Sequence, residues 1–188
     1  MGSFPKALLK KSDQSLLKRF CMAAQELNPV EFVLVTGFHA PAIEEHLQSF
    51  DNVLNFSPKV TRNTQPEKGQ ASSVRLGLES IDKNYDVLLV ALSDQPDIGN
   101  EEIIALLDEY QNKSADQEII LPIVDGQRGN PVLFSKKAID AILEIPEMVC
   151  RPYMDSHPQQ VRQLVTSNKA YLVDVDTEDD IQRQDLVK

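Results

Sequence analysis

Short aliphatic runs, most of them only four to six residues long, alternate along this chain with segments whose apolar residues recur every three or four positions. Runs of that length suit buried strands rather than helices, and the intervening periodicity suits amphipathic helices. The alternation predicts strands joined by right-handed helical crossovers. The expected fold class is therefore α/β, a doubly wound, mostly parallel sheet with helices on both faces. With 188 residues the chain fits a single domain over 1–188, since a domain typically takes about 100–200 residues. Hydrophobic residues make up 41%, enough for a substantial core and well above a disordered composition.

The elements can be placed by residue. Ser12 is a candidate cap for a helix with Leu16, Leu17, Phe20, Ala24 and Leu27 on one face, as hydroxyl side chains favour that position. Residues 32–36 read as a strand ended by Gly37, and residues 42–50 as a helix. Gly69 opens a helix carrying Val74, Leu78 and Ile81, and residues 87–92 form the most apolar strand. Asn100 caps the next helix, followed by a strand over 119–124 and the turn dipeptide Asp125-Gly126. Residues 131–134 lead into a helix near Ser135. Residues 146–158 read as irregular or briefly helical. Strands are expected over 161–166 and 171–175, and Thr177 with Asp180 starts a final helix as a capping box.

Charge and motif content exclude several functions. Lys+Arg number 19 against 29 Asp+Glu, a net charge of −10, which disfavours nucleic acid as a partner. No apolar run approaches the ~20 residues that a membrane-spanning helix needs. Cys21 and Cys150 lack disulfide or zinc spacing, consistent with a reducing, cytoplasmic setting. The basic residues Lys6, Lys10, Lys11, Lys18 and Arg19 leave an amphipathic transit segment as the competing reading. Glycine-rich dinucleotide and P-loop signatures, the nucleophile elbow and the zinc-protease motif are all absent. His39, His46 and His157 are too dispersed to suggest a triad.

Four segments carry candidate chemistry. Leu92-Ser93-Asp94-Gln95-Pro96 puts a carboxylate just beyond the most apolar strand, where open parallel sheets bind ligands. Asp94 there either holds a divalent cation or bonds the backbone of a turn. In Asp174-Val175-Asp176-Thr177-Glu178-Asp179-Asp180, helix capping accounts for the last three acids but not for Asp174 and Asp176. If that strand end lies near Asp94, the two acidic sets share a metal. Gly126-Gln127-Arg128-Gly129-Asn130-Pro131 is either a substrate-admitting turn or an ordinary hairpin. Glu67-Lys68-Gly69-Gln70-Ala71-Ser72-Ser73 is either a nucleotide-facing helix start or plain serine capping.

Taken in order, these segments resemble the MobA-like nucleotidyltransferases, closest to the molybdenum cofactor cytidylyltransferase branch. The likeness runs from Met1-Gly2 and Pro5-Lys6-Ala7-Leu8-Leu9 through Val35-Thr36-Gly37 to Asp174-Val175-Asp176-Thr177. It implies nucleotidyl transfer from a nucleoside triphosphate, CTP favoured over GTP, to a phosphorylated acceptor such as molybdopterin, with Mg²⁺ and release of pyrophosphate. By the same resemblance Asp94 and Asp176 hold the metal, and Lys6 meets the triphosphate. Gly2, Gly69 and Ser73 contact the nucleotide, and Asn130 stands on the acceptor side. Family members begin with a strand and a loop of the type Leu-Ala-Ala-Gly-x-Ser-x-Arg-Met-Gly, of which Met1-Gly2 matches the end. The first strand is therefore expected to be missing. Two expectations follow: Met1 is an internal methionine of a longer, active chain, or the chain is a catalytically impaired relative acting as a binding or regulatory module.

Overall fold

The computed structural model describes residues 4–188. After a 3-10 turn at Lys6–Leu8, the short strands β1 (Lys10–Lys11) and β2 (Gln14–Ser15) form a hairpin. Ser12 and Asp13 turn this hairpin with positive φ, so the cap of helix α1 (Leu16–Gln25) falls to Ser15 rather than Ser12. The Ser15 hydroxyl accepts from the Lys18 amide, satisfying one of the free donors of the first turn. Strand β3 (Val33–Thr36), helix α2 (Ala40–Gln48) and strand β4 (Lys59–Arg62) follow, with β3 and β4 paired in parallel.

Helix α3 (Gln70–Glu79) leads to β5 (Val87–Val90), and α4 (Asn100–Gln111) to β6 (Ile119–Val124). Gly99, one residue before the expected cap, takes the N-cap of α4, where the Glu102 carboxylate accepts its amide at 3.0 Å. The hairpin strand β7 (Gln127–Arg128), β8 (Val132–Ser135), α5 (Lys136–Glu144), α6 (Cys150–Ser156), β9 (Val161–Val165) and α7 (Glu178–Arg183) complete the order. Thr177 and Asp180 form the expected capping box of α7.

The α/β class is what the structure shows, with a mixed sheet. β8 lies between β5 and β6 and runs against both, while β9 joins β6 in parallel. β5, β6 and β9 consequently share one direction, and β8 is the reversed strand among them. Successive residues point to opposite faces of a strand, and the core divides accordingly. Ile119, Leu121 and Phe134 pack beneath α5 and α6, whereas Ile120, Val124 and Leu133 meet Ile103 and Leu106 of α4.

The sheet is broken between β3 and β5. Among the described residues β3 is paired only with β4, and β5 only with β8. Two helices nevertheless lie across both strands. On one face Leu17 and Cys21 of α1 join the cluster of Leu34, while Phe20 of the same helix packs with Val87 and Leu89. On the other face Gly77 of α3 is so near Val35 that an added Cβ would stand 3.1 Å from its Cγ2, and Val74 and Leu78 pack with Leu88 and Val90. The break explains why these apolar strands are only partly buried when β6 and β8 are almost wholly so.

The expected strand over 171–175 is not formed. Residues Lys169–Tyr171 make a 3-10 turn instead. The Tyr171 carbonyl accepts from the Asn130 amide at 2.9 Å and from Gln95 Nε2 at 3.2 Å, and its hydroxyl donates to the Glu102 carbonyl. Groups engaged in this way are unavailable to a ladder.

Candidate functional site

Three of the sequence-derived residues converge. Lys6 stands at the start of its 3-10 turn, held in place by the burial of Ala7 and Leu9 and by backbone bonds from Leu8 to Pro5 and from Leu9 to Lys6. Its ammonium donates to Asp94 Oδ2 at 3.3 Å and to Asp176 Oδ1 at 2.5 Å. Asp94 comes from the loop after β5 and Asp176 from the approach to α7. The Val175 amide, donating to the Asp94 carbonyl at 3.1 Å, fastens these two segments together. The sequence placed these groups 82 positions apart, from Asp94 to Asp176; the fold joins them.

Among the described residues the hydrogen bond to the Asp94 carboxylate comes from Lys6, so the simple turn reading of Asp94 is not what is formed. Burial by itself pulls the Lys6 ammonium down. The hydrogen bond it donates to Asp176 and the charges of Asp94 and Asp176 outweigh it and hold the pKa above that of ordinary lysine. Asp174 lies in the same field. Its carboxyl is raised by burial first, then by the neighbouring charges of Asp176 and Asp94. Lys11 pairs with Asp97 just beyond Asp94.

Gly69 and Ser73 occupy a second locus, at the head of α3. Gly69 takes φ +87 as the N-cap, a conformation that favours glycine. The Ser72 hydroxyl donates to the Gly69 carbonyl, so neither serine caps the helix: among the described residues no side chain accepts from its first-turn amides. Ser73 is held differently: Asn63 Nδ2 donates to the hydroxyls of both Ser72 and Ser73 at 2.9 Å. Asn63, almost fully buried, also receives the Gln65 amide on Oδ1 and donates its own amide to the Thr36 carbonyl. Sequence reasoning passed over Asn63, which follows the largely polar strand Lys59–Arg62 and gives no local signal of its burial.

Asn130 forms a third locus, tied to the first through Tyr171. The Tyr171 carbonyl bonds the Asn130 amide, and it also bonds Gln95, the neighbour of Asp94. Gln95 is the second residue that sequence reasoning missed. It is 7% exposed, and among the described residues its Oε1 has no hydrogen-bond partner. The adjoining Gly129 has no room for a side chain, since a Cβ there would fall 2.7 Å from both Tyr171 Cβ and Tyr171 O. Arg128, on the same turn, reaches out to Asp155 of α6. The last expected contact residue, Gly2, lies outside the described residues.

Among the described residues no group of three or more His, Cys, Asp or Glu side chains is arranged to hold a metal ion. A divalent cation of the Mg²⁺ type does not require one, because it is commonly held by one or two carboxylates together with substrate phosphates and water. Asp94 and Asp176 meet that requirement in chemistry, and a cationic group, the Lys6 ammonium, already bridges them. The residues present therefore fit such a cation. No helix among the described residues is long and apolar enough to cross a membrane.

The mixed α/β sheet has carboxylates and an ammonium assembled beyond its most apolar strand, and the comparisons give the class and the family. The chain belongs to the MobA-like NTP transferase domain family, which matches residues 1–161, and it is nucleotidyltransferase-like. The bifunctional protein GlmU of Prochlorococcus marinus (strain MIT 9211) is 25% identical over 145 residues, covering 76% of this chain and 31% of GlmU. The chain thus spans about a third of the length of that curated relative. Rv0371c of Mycobacterium tuberculosis H37Rv, solved in complex with manganese, superposes with a TM-score of 0.72 at 22% identity, covering 97% of this chain and 92% of that one. The 4-diphosphocytidyl-2C-methyl-D-erythritol synthase of Anaerococcus prevotii DSM 20548 does so with a TM-score of 0.71 at 11% identity, covering 95% and 90%.

Proposed function

We propose that this chain transfers a nucleotidyl group from a nucleoside triphosphate to a phosphorylated acceptor with release of pyrophosphate, using CTP and a divalent cation, Mg²⁺ in the cell. The observation that carries the reading is the meeting of Lys6, Asp94 and Asp176 at one point from three separate segments. Family membership supports a nucleoside triphosphate, and CTP rests on the motif resemblance and on a structural neighbour named for a diphosphocytidyl product. Molybdopterin as acceptor rests on the motif resemblance alone. Two buried, unpaired cysteines support a cytoplasmic setting.

Asp94 and Asp176 are the residues that would hold the cation. When bound, such a cation neutralises charge on the phosphates and aligns them. Lys6 meets the triphosphate and stabilises the negative charge that accumulates as the pyrophosphate departs, the kind of fixed electrostatic help that dominates such sites. Gly69 and Ser73, fixed through Asn63, face the nucleoside. Asn130, fixed through the Tyr171 carbonyl, faces the acceptor phosphate, which attacks in line. Little proton transfer is asked of the protein, in keeping with the dispersal of its histidines.

Pyrophosphate release from CTP or GTP with Mg²⁺ and a molybdopterin acceptor, compared between the chain and an Asp94→Asn variant, tests this. We expect CTP turnover that Asp94→Asn abolishes; equal rates for the two proteins sink the mechanism. The free edges of β3 and β5 favour a second reading, a relative that binds nucleotide as a binding or regulatory module without turnover. Calorimetric binding of MgCTP with no pyrophosphate released selects that reading.

A further inference from the structure

The Lys6 ammonium sits between the two carboxylates to which the proposed function assigns the divalent cation. It is 3.3 Å from Asp94 Oδ2 and 2.5 Å from Asp176 Oδ1. Two positive groups cannot share that position: like charges a few ångströms apart repel strongly, and the carboxylate oxygens that accept from Lys6 are those a metal would take. The backbone of Lys6 is fixed by its buried neighbours, but its side chain is 31% exposed and unbranched, and Asp176 is 65% exposed. The ammonium is thus free to leave while its Cα stays in place.

We propose that Lys6 is a resident cation that a divalent metal must displace, and that the triphosphate is what draws it away. In the empty site Lys6 neutralises Asp94 and Asp176 and so keeps the pair from gathering bare divalent ions. When metal and nucleotide arrive together, the metal takes the carboxylates and the ammonium turns to the phosphates. Metal and nucleotide are thereby coupled through one side chain, each favouring the state in which the other binds. This rests on the metal reading of Asp94 and Asp176 and adds to it a binding order that family membership does not specify.

The experiment measures Mn²⁺ alone, by paramagnetic resonance of the free ion, and Mn²⁺ with CTP, by calorimetry, on the full chain. Lys6→Met is expected to bind bare Mn²⁺ more tightly than the wild type, by a factor within the usual coupling range of about 5–150-fold. The same variant is expected to bind Mn²⁺–CTP more weakly, so the two measurements move in opposite directions. Loss of any one positive charge near the site moves the two measurements in these same directions, because Mn²⁺ is a cation and Mn²⁺–CTP an anion, so the size of the effect is judged against a neighbouring ammonium. Lys11→Met, which removes a nearby ammonium paired with Asp97 rather than with these carboxylates, serves as the control and is expected to change bare Mn²⁺ affinity by no more than about twofold. Asp94→Asn separates the two levels of the argument. If it leaves Mn²⁺ binding unchanged, the metal reading itself is wrong. If it weakens Mn²⁺ binding while Lys6→Met fails to tighten it, or if Lys11→Met tightens it equally, the displacement role of Lys6 is overturned and the metal reading stands.

Discussion

Replacing Gly129 by alanine tests how the turn carrying Asn130 is held. The added Cβ would lie 2.7 Å from Tyr171 Cβ, 2.7 Å from Tyr171 O and 3.1 Å from Tyr171 C, so the obstruction includes backbone and cannot be relieved by a rotamer change. Carbon atoms rest at about 3.5–4.0 Å, so the two segments must part by roughly 1 Å. The Asn130 amide now stands 2.9 Å from the Tyr171 carbonyl, and a further ångström exceeds the range of a hydrogen bond. Overpacking of this kind costs about 1–3 kcal/mol and the lost bond about 1 kcal/mol. The sum, about 3 kcal/mol at its midpoint, corresponds to a fall of roughly 6–12 °C in Tm for a domain of this size. Differential scanning calorimetry reads it. Gly126 supplies the contrast, because its φ of +76 requires left-handed backbone while no atom of the described residues lies within 4 Å of the Cβ position. Asparagine tolerates that backbone better than alanine does, so Gly126→Asn should outlast Gly126→Ala, whereas Gly129→Asn should be worse than Gly129→Ala. A Gly129→Ala protein that melts within 2 °C of the wild type, against the roughly 6–12 °C expected, refutes the steric argument.

Arg75 donates to the carbonyls of Ile142, Leu143, Ile145 and Met148, closing the end of α5 with one guanidinium. Lysine cannot reproduce that fork, so Arg75→Lys is expected to destabilise by about 1.5–3 kcal/mol in urea titration, nearly as much as Arg75→Met. Glu44 is lowered by hydrogen bonds from Arg62 and Thr36 against the opposing effect of burial. Its stabilising contribution is therefore present above the ordinary glutamate pKa and lost as the pH falls through the lower, folded value. Glu44→Gln should flatten the loss of Tm on acidification across that window; an unchanged slope would contradict it. Burial pushes the thiols of Cys21 and Cys150 up to about 12, so a disulfide reagent at pH 8 is expected to modify them only at the rate of unfolding, and reaction within mixing time would count against their burial.

The sequence was legible where local physics decides. Residues 119–124 form the expected strand with the expected bounds, and the Thr177–Asp180 box starts its helix as read, because both depend on neighbours a few positions away. Caps were misplaced by one to three residues for a local reason as well: Ser12 is drawn into a hairpin, and the following serine, Ser15, then meets the free amides. The expected strand at 171–175 failed for a reason no local pattern carries. Tyr171 is recruited by Asn130, Gln95 and Glu102, each of which comes from a different part of the chain. The site divides in the same way. Asp94 was readable from its place after an apolar strand, and Asp176 from the failure of capping to explain it. Their partnership through Lys6, and the supporting parts of Asn63 and Gln95, depend on tertiary closure.

The broken sheet makes a final prediction that can be taken to single amide protons. The bonds Lys59 N to Phe32 O and Asn63 N to Thr36 O set the phase of the parallel ladder, turning Leu34 and Thr36 towards β4 and Val33 and Val35 away from it. The bond Lys136 N to Asp86 O does the same for the antiparallel ladder, turning Leu88 and Val90 towards β8 and Val87 and Leu89 away. The amides of Val33, Val35, Val87 and Leu89 therefore face the break, where neither strand has a ladder partner among the described residues. Amides without a partner exchange through small local openings, while paired ones need larger openings. Hydrogen exchange followed by NMR should show Leu34, Leu88 and Val90 protected at least roughly tenfold more than their alternate neighbours, about 1.4 kcal/mol in opening free energy. The side chains cannot produce that alternation, since Leu88 and Leu89 are both apolar and both half-buried. Uniform protection along both strands in solution would mean that the facing edges have found hydrogen-bond partners, and a concentration dependence of that protection would trace them to a second copy of the chain.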